Sequence, residues 1–309
     1  MNNKTLSIFL NTDRVYITEL VIEEKKAILE YIDSTNHHFD FENTNNSESK
    51  NALDEIEIIL NELPFKPDRL TITIPSESIF VSKFPIKPNF TDIEYKKLIE
   101  FEIRQNLPQF NYNDFYIKII PIGKNNEQFA LAMIYLKNDF NFLQDFFAQF
   151  DLKISNFEIS QLAAHNSFMF NYPEMREKNV LIIGLQGLFL DYTVINNGNM
   201  LYYNLNSLPS PSQIGEITEK EYNKIVGNIT STIDACYFFG GSLNKDLSMA
   251  LWETSMMLGI MEAKRLNPFR MMTTNLDKRH KEYCSRTFHI FPPCIGSALK
   301  DWHKVIVIE

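Results

Sequence analysis

Apolar and polar positions fall into the same rhythm twice along this chain, once at its start and once past its midpoint. Residues 179–204, NVLIIGLQGLFLDYTVINNGNMLYYN, open with an apolar run at 180–183, turn at 184–187 and resume at 188–195. A second turn, Asn196-Asn197-Gly198, leads into a further apolar run at 200–203. Asn-Gly between β-prone runs predicts a two-residue hairpin, because a type I′ turn needs positive φ at both central residues. The stretch reads as a three-stranded antiparallel meander. Residues 7–32 repeat it, with strands at 7–10, 15–22 and 27–32 and turns at 11–13 and 23–25. Two meanders of one plan predict a duplicated architecture.

After each meander the period changes. In the first half the polar stretch 36–50 reads as an exposed loop. Residues 51–64 then place Leu53, Ile56, Ile59, Leu60 and Leu63 at helical spacing, with Pro64 at the end. Strands follow at 70–74 and 79–84 around Pro75-Ser76-Glu77-Ser78. Thr91 and Glu94 are spaced as a capping box, which predicts a helix to about residue 106. Two strands at 115–121 and 128–135 flank a turn at 123–126; then come a helix at 139–150, a strand near 153–157 and a helix at 160–169. The polar run 171–178 is the expected seam, dividing the chain into 1–172, with an α/β insert near 65–136, and 173–309. The second half predicts a helix at 218–235, a strand at 236–239 closed by Gly240-Gly241, and a helix at 245–258. Further helices are expected at 275–283 and 293–299.

Composition narrows the class. A hydrophobic share of 44% supports a substantial core. Net charge is −9 with Lys and Arg scattered, which argues against a nucleic-acid partner, since phosphate neutralisation needs a clustered basic face. No run approaches the roughly 20 apolar residues of a membrane-spanning helix, and the only cysteines are Cys236, Cys284 and Cys294, far apart. A cytoplasmic protein without a disulfide framework is expected. The ten glycines among 309 residues fall well under the usual ~7%, a poor supply for cradling phosphates on backbone N–H groups.

Other chemistry is weakly supported. His280, Cys284, His289 and Cys294 lack a Cys-x-x-Cys knuckle and are interrupted by Pro292-Pro293, so no metal site is expected. His37-His38 reads as a solvated pair. Ser76 and Ser78 lie in no Gly-x-Ser-x-Gly elbow, and no catalytic residue is assigned.

The element order resembles the α/β actin-like fold of the Hsp70, sugar-kinase and FtsA type, bilobed, with duplicated ββαβα-type halves and an α/β insert in the first. Residues 70–108, LTITIPSESIFVSKFPIKPNFTDIEYKKLIEFEIRQNLP, resemble the PilM family of type IV pilus assembly proteins, as do residues 154–168, 236–269 and 294–300. The cytoplasmic part of the type II secretion protein GspL is similar. The resemblance implies a cytoplasmic protein that binds ATP between two lobes and associates with the inner membrane through a partner's cytoplasmic tail. That partner would be a PilN-like protein or a GspL/GspE-like platform component, met in an insert groove or by β-augmentation of a strand edge. A homodimer is left open.

In that fold each meander carries a phosphate loop, Asp-x-Gly-(Ser/Thr), whose Asp positions Mg²⁺. Here the first loop aligns as Phe9-Leu10-Asn11-Thr12-Asp13, with Phe9 for the Asp and Asn11 for the Gly. The second aligns as Ile182-Ile183-Gly184-Leu185-Gln186-Gly187, with Ile182 for the Asp. Gly240 and Gly241 match the turn beside the adenosine. The resemblance thus implies a degenerate nucleotide cleft of Asn11, Thr12, Asp13, Gly184, Gln186, Gly187, Gly240 and Gly241. A pseudo-ATPase scaffold with no required cofactor is expected, and ATP with Mg²⁺ bound without turnover is left open. The alternatives are a nucleotide-driven switch, with Asp13 or Asp191 supplying the metal contact, and a polymerising structural protein.

Overall fold

Both meanders form, and each is one flank of a larger sheet. In the computed structural model, residues 3–23, 26–41, 43–44, 46–63, 66–85, 91–106, 108, 111–123, 129–229, 231–299 and 306–308 are described. The first meander is β1 (Asn3–Leu10), β2 (Val15–Glu23) and β3 (Lys26–Ser34). Helix α1 (Ser47–Glu62) then crosses to β4 (Arg69–Ile74), which lies parallel to β1. The insert is β5 (Phe80–Pro85), α2 (Asp92–Asn106), β6 (Phe115–Ile122) and β7 (Phe129–Leu136). Helix α3 (Lys137–Ala148) leads back to β8 (Ile154–Ile159), parallel to β4, and to the buried helix α4 (Ser160–Asn171).

The second meander is β9 (Val180–Gln186), β10 (Phe189–Asn196) and β11 (Asn199–Ser207). It is followed by α5 (Ile214–Ile229), β12 (Ala235–Phe239), α6 (Lys245–Met257) and β13 (Glu262–Arg265). The remaining stretch holds β14 (Thr273–Thr274), α7 (Lys278–Thr287), α8 (Pro292–Ala298) and β15 (Ile306–Ile308). Three sheets result, with strand orders β14-β3-β2-β1-β4-β8, β11-β10-β9-β12-β13 and β15-β6-β7-β5. Residues beyond 172 thus contribute to all three: β14 pairs with β3, and β15 with β6.

Local chemistry sets several boundaries. Asn197 and Gly198 have φ of 49° and 77°, the type I′ geometry that the Asn-Gly pair demands. Thr91 and Glu94 form the reciprocal capping box, with the Thr91 N–H donating to Glu94 Oε2 at 2.8 Å and the Glu94 N–H to Thr91 Oγ1 at 3.3 Å. Elsewhere tertiary contacts override the pattern. The polar stretch 36–50 is not all loop: Asn46 caps α1 through the Ser49 N–H at 2.7 Å, and Phe39 is buried in the first core. The helix expected at 218–235 runs instead from Ile214 to Ile229, because Ala235 pairs into the sheet beside Val180. The last long helix begins at Lys278, where Asp277 caps it. The turn expected at 184–187 closes later, since Gly184 pairs with Asp191 inside the β9–β10 ladder. The expected turns at 23–25 and 123–126 lie partly outside the described residues.

The lobes join through α4 and α8, which pack backbone to backbone. A Cβ on Gly296 would stand 1.6 Å from the Ala163 carbonyl oxygen, so only glycine permits the approach. Small side chains do the rest: Ser297 Oγ lies 3.0 Å from Thr71 Oγ1, and Cys294 Sγ lies 3.3 Å from Thr18 Oγ1. Cys294 is therefore a buried core thiol, pushed up to about 11 by desolvation, while His280 bonds Asp277 on the exposed face of α7. Among the described residues no group of three or more His, Cys, Asp and Glu is placed to hold a metal, and no helix is long and apolar enough to cross a membrane.

Candidate functional site

Three turns converge where the lobes meet: β1 to β2, β9 to β10, and β12 to α6. Two of them need glycine for a definite reason. Gly187 takes φ of +54° in the second turn. Gly240 takes φ of +136°, and a Cβ there would stand 1.9 Å from the Leu185 carbonyl oxygen. The β12 turn is thereby pressed onto the end of β9.

Side chains from each turn close on the others. Gln186 ends β9, and its Oε1 accepts the Gly241 N–H at 3.0 Å. Asn11 is buried at the end of β1, with its Nδ2 2.5 Å from where a Gly241 Cβ would be. Thr12 Oγ1 lies 3.5 Å from the corresponding point on Gly187. Of the eight residues expected to form the cleft, seven are therefore brought together: Asn11, Thr12, Asp13, Gln186, Gly187, Gly240 and Gly241. Gly184 is not. It lies inside β9, where a Cβ would meet Gln161 Oε1 at 2.7 Å and the Phe239 ring at 2.8 Å, so its role is close packing against α4 and β12.

The carboxylates divide into two kinds. Asp13 is consumed within its own hairpin, accepting from Asn11 Nδ2 at 2.8 Å, the Arg14 N–H at 2.9 Å and the Tyr16 hydroxyl at 2.6 Å. Asp191, on β10, is buried and accepts the Tyr203 hydroxyl at 2.9 Å. Desolvation raises its carboxyl to about 7, against the lowering pull of the Ser76 and Tyr203 hydroxyls. Glu77, in the turn after β4, is raised to about 8 by burial, against the lowering pull of its own backbone N–H, with the charge of Asp191 adding to the rise. Among the described residues no other residue supplies a hydrogen bond to either Glu77 oxygen. Asn11 Oδ1 and Gln186 Nε2, also on the loops, are buried and without a hydrogen-bond partner among the described residues. Sequence reasoning missed Glu77. The available signal was an acid in the Pro-Ser-Glu-Ser turn at the end of a parallel strand, where open α/β sheets place their sites.

Phe9 and Ile182, the positions that the resemblance sets against the metal-positioning acids, are wholly buried in apolar surroundings. Phe9 stacks toward Tyr16 at 6.2 Å between ring centroids, in the core that also holds Phe291. Ile182 packs with Phe168, Tyr237 and Phe239. Neither supplies an oxygen to the cleft. Beside the turns a cavity of about 510 Å³ opens between the first sheet and the insert, lined by Thr12, Phe39, Phe41, Glu77, Leu136 and Asp139. His38 lines the same cavity 3.8 Å from Glu48, and His37 lies 3.0 Å from that carboxylate, so the histidine pair faces a carboxylate rather than solvent alone.

No protein-family model matches the sequence, and no curated protein matches it. Solved structures do. A chain of a PilM–PilN type IV pilus biogenesis complex superposes with a TM-score of 0.70 at 11% identity, covering 96% of this chain and 98% of that one. A protein of actin-like ATPase fold from Bacteroides thetaiotaomicron gives 0.52 at 16% identity, covering 92% and 96%. The cytoplasmic domain of EpsL, from the type II secretion system of Vibrio cholerae, gives 0.47 at 11%, covering 82% and 95%. The fold is actin-like, with the three converging turns at its interlobe cleft.

Proposed function

We propose that this chain is a pseudo-ATPase scaffold: it holds the cytoplasmic tail of an inner-membrane protein within an assembly platform of the pilus or secretion kind, without hydrolysing ATP. The observation that carries the reading is Phe9, one residue before the end of β1 and buried in an apolar core at the position that the resemblance sets against the first metal-positioning acid; Ile182, set against the second, lies four residues before the end of β9. Phosphoryl transfer depends almost entirely on positioning and charge neutralisation, and the Phe9 ring cannot orient a hydrated cation. The end-to-end likeness to a chain from a pilus assembly complex supports the scaffold role, by analogy of fold. The cavity beside Glu77 is wide enough and apolar enough at Phe39, Phe41 and Leu136 to take a peptide side chain or two.

The test is a thermal-shift titration with ATP, ADP and a non-hydrolysable analogue, each with and without Mg²⁺. It is paired with calorimetric titration of the tail of the PilN-type protein from the same organism. A bound ligand at ~100 times its dissociation constant adds about 2.7 kcal/mol of stability. The scaffold reading expects tail binding with no magnesium-dependent shift. A magnesium-dependent rise that disappears in Asp191→Ala would favour the nucleotide switch, for which the acids Asp191 and Glu77 in the cleft are the specific support.

A further inference from the structure

The second sheet ends in an edge with unusual surroundings. Strand β13 pairs in parallel with β12 on one side, from Ala235 opposite Glu262 to Phe238 opposite Arg265. Its other side meets no strand among the described residues. Helix α6 runs alongside, and between them lies a groove of about 430 Å³ lined by Lys245, Met249, Trp252, Ala263, Lys264 and Arg265. Lys245, Met249 and Trp252 are spaced i, i+4 and i+7, so they share one face of the helix.

Charges on a short edge strand are the ordinary protection against unwanted pairing, and Glu262, Lys264 and Arg265 supply that much. The apolar surface beside them does the opposite. Met249 and Trp252 are 48% and 43% exposed, and Met257 and Met261, at the turn from α6 into β13, are 79% and 81% exposed. Trp, Met and Arg are the residues enriched at the centre of protein interfaces, and Met adapts its shape to a partner. The groove is also polarised along its length. Beyond its lining, the exposed Met257 and Met261 stand toward the start of β13. At the far end are Lys245, without an ion pair among the described residues, and Arg265, whose guanidinium lies 5.0 Å from the Phe288 ring centroid. Lys264 is partly neutralised by Glu262 at 2.7 Å. Asp246 and Glu253 belong to α6 but not to the groove lining. On a chain of net charge −9, this cationic, apolar strip is the exception.

We propose that the α6–β13 groove is a docking site for an extended, acidic-apolar segment of another protein, added as a strand beside β13. Its alternate apolar side chains lie over Met249 and Trp252, and its acidic end is held by Lys245 and Arg265. Helix α6 is about 18 Å long, room for five or six residues of extended chain. The site lies in the second-half sheet, away from the interlobe cavity, and does not depend on the tail-docking reading.

The test uses the full chain and three fluorescein-labelled octapeptides: alternating Val and Glu, alternating Val and Lys, and the Val-Glu peptide N-methylated at alternate residues to remove its strand-pairing donors. Anisotropy is expected to rise with the Val-Glu peptide alone. Trp252→Ala and Arg265→Glu are surface changes that leave the fold intact, and each is expected to weaken that binding at least tenfold. No binding at about 1 mM (only ~4 kcal/mol of affinity), equal binding of the Val-Lys peptide, or indifference to both substitutions would overturn the proposal. Two other outcomes would also overturn it in favour of a different occupant. One is sedimentation with anionic phosphatidylglycerol vesicles that Trp252→Ala abolishes. The other is a concentration-dependent dimer lost in the same variant.

Discussion

Replacing Glu77 by Gln should make this protein's stability depend less on pH, and the size of the effect follows from where the carboxyl sits. Glu77 sits in the turn after β4, is coupled electrostatically to Asp191 of β10 and, among the described residues, accepts no hydrogen bond from any other residue. Burial, with Asp191 adding to it, raises its pKa from 4.5 to about 8. Between those two values the folded state holds a proton that the unfolded chain has released. Stability is then highest below the unfolded pKa and declines as pH rises toward the folded one, by up to about 1.4 kcal/mol per pH unit. Over this window that amounts to roughly 3–5 kcal/mol, the lower figure allowing for a compact unfolded state. Glutamine keeps the shape and cannot ionise. Glu77→Gln should match the parent at about pH 5 and exceed it by most of that amount near pH 9. Asp191, raised in the same direction, leaves a residual decline in the variant. Urea unfolding followed by tryptophan fluorescence across that range measures the difference. Parallel stability profiles for parent and variant would refute the reasoning, because they would mean that Glu77 titrates alike in both states.

Other substitutions test the packing of the cleft and the core. Gly240→Ala should destabilise by at least about 3 kcal/mol, since φ of +136° and a backbone oxygen 1.9 Å from the new Cβ leave no relaxed alternative; thermal denaturation reads it directly. Phe9→Asp puts an acid at the position that the resemblance sets against the first metal-positioning Asp, yet it should lower stability by about 4 kcal/mol rather than create phosphate release, because the ring fills a closed core with Tyr16 and Phe291. Gln186→Ala should cost about 1–2 kcal/mol and speed amide exchange at Gly241, whose N–H loses its acceptor. Thr91→Ala should cost about 1 kcal/mol in the insert alone, seen as faster exchange at the first turn of α2.

What was readable along the chain is what short-range chemistry controls. Asn197-Gly198 adopts positive φ whatever surrounds it, and Thr91 and Glu94 cap a helix by themselves, so the central hairpin and the start of α2 stand where the sequence puts them. Apolar runs long enough to be buried on both faces, as at β4 and β9, announced their strands. Strand β13 did not: Glu262-Ala-Lys-Arg265 has one apolar residue in four and is a strand because β12 offers a free edge beside it. Helix α5 ends at Ile229 for a similar reason, since the sheet claims Ala235.

The cleft divides along the same line. Its loop glycines and the apolar side chains Phe9 and Ile182 are legible from the sequence, where the resemblance implies an eroded phosphate site. The tertiary structure alone decided that Gly184 is a packing residue against Gln161 and Phe239 and that Glu77 is coupled to Asp191. Those outcomes depend on segments that are distant along the chain, and a carboxyl's pKa follows from the water that folding removes around it rather than from its neighbours in the chain.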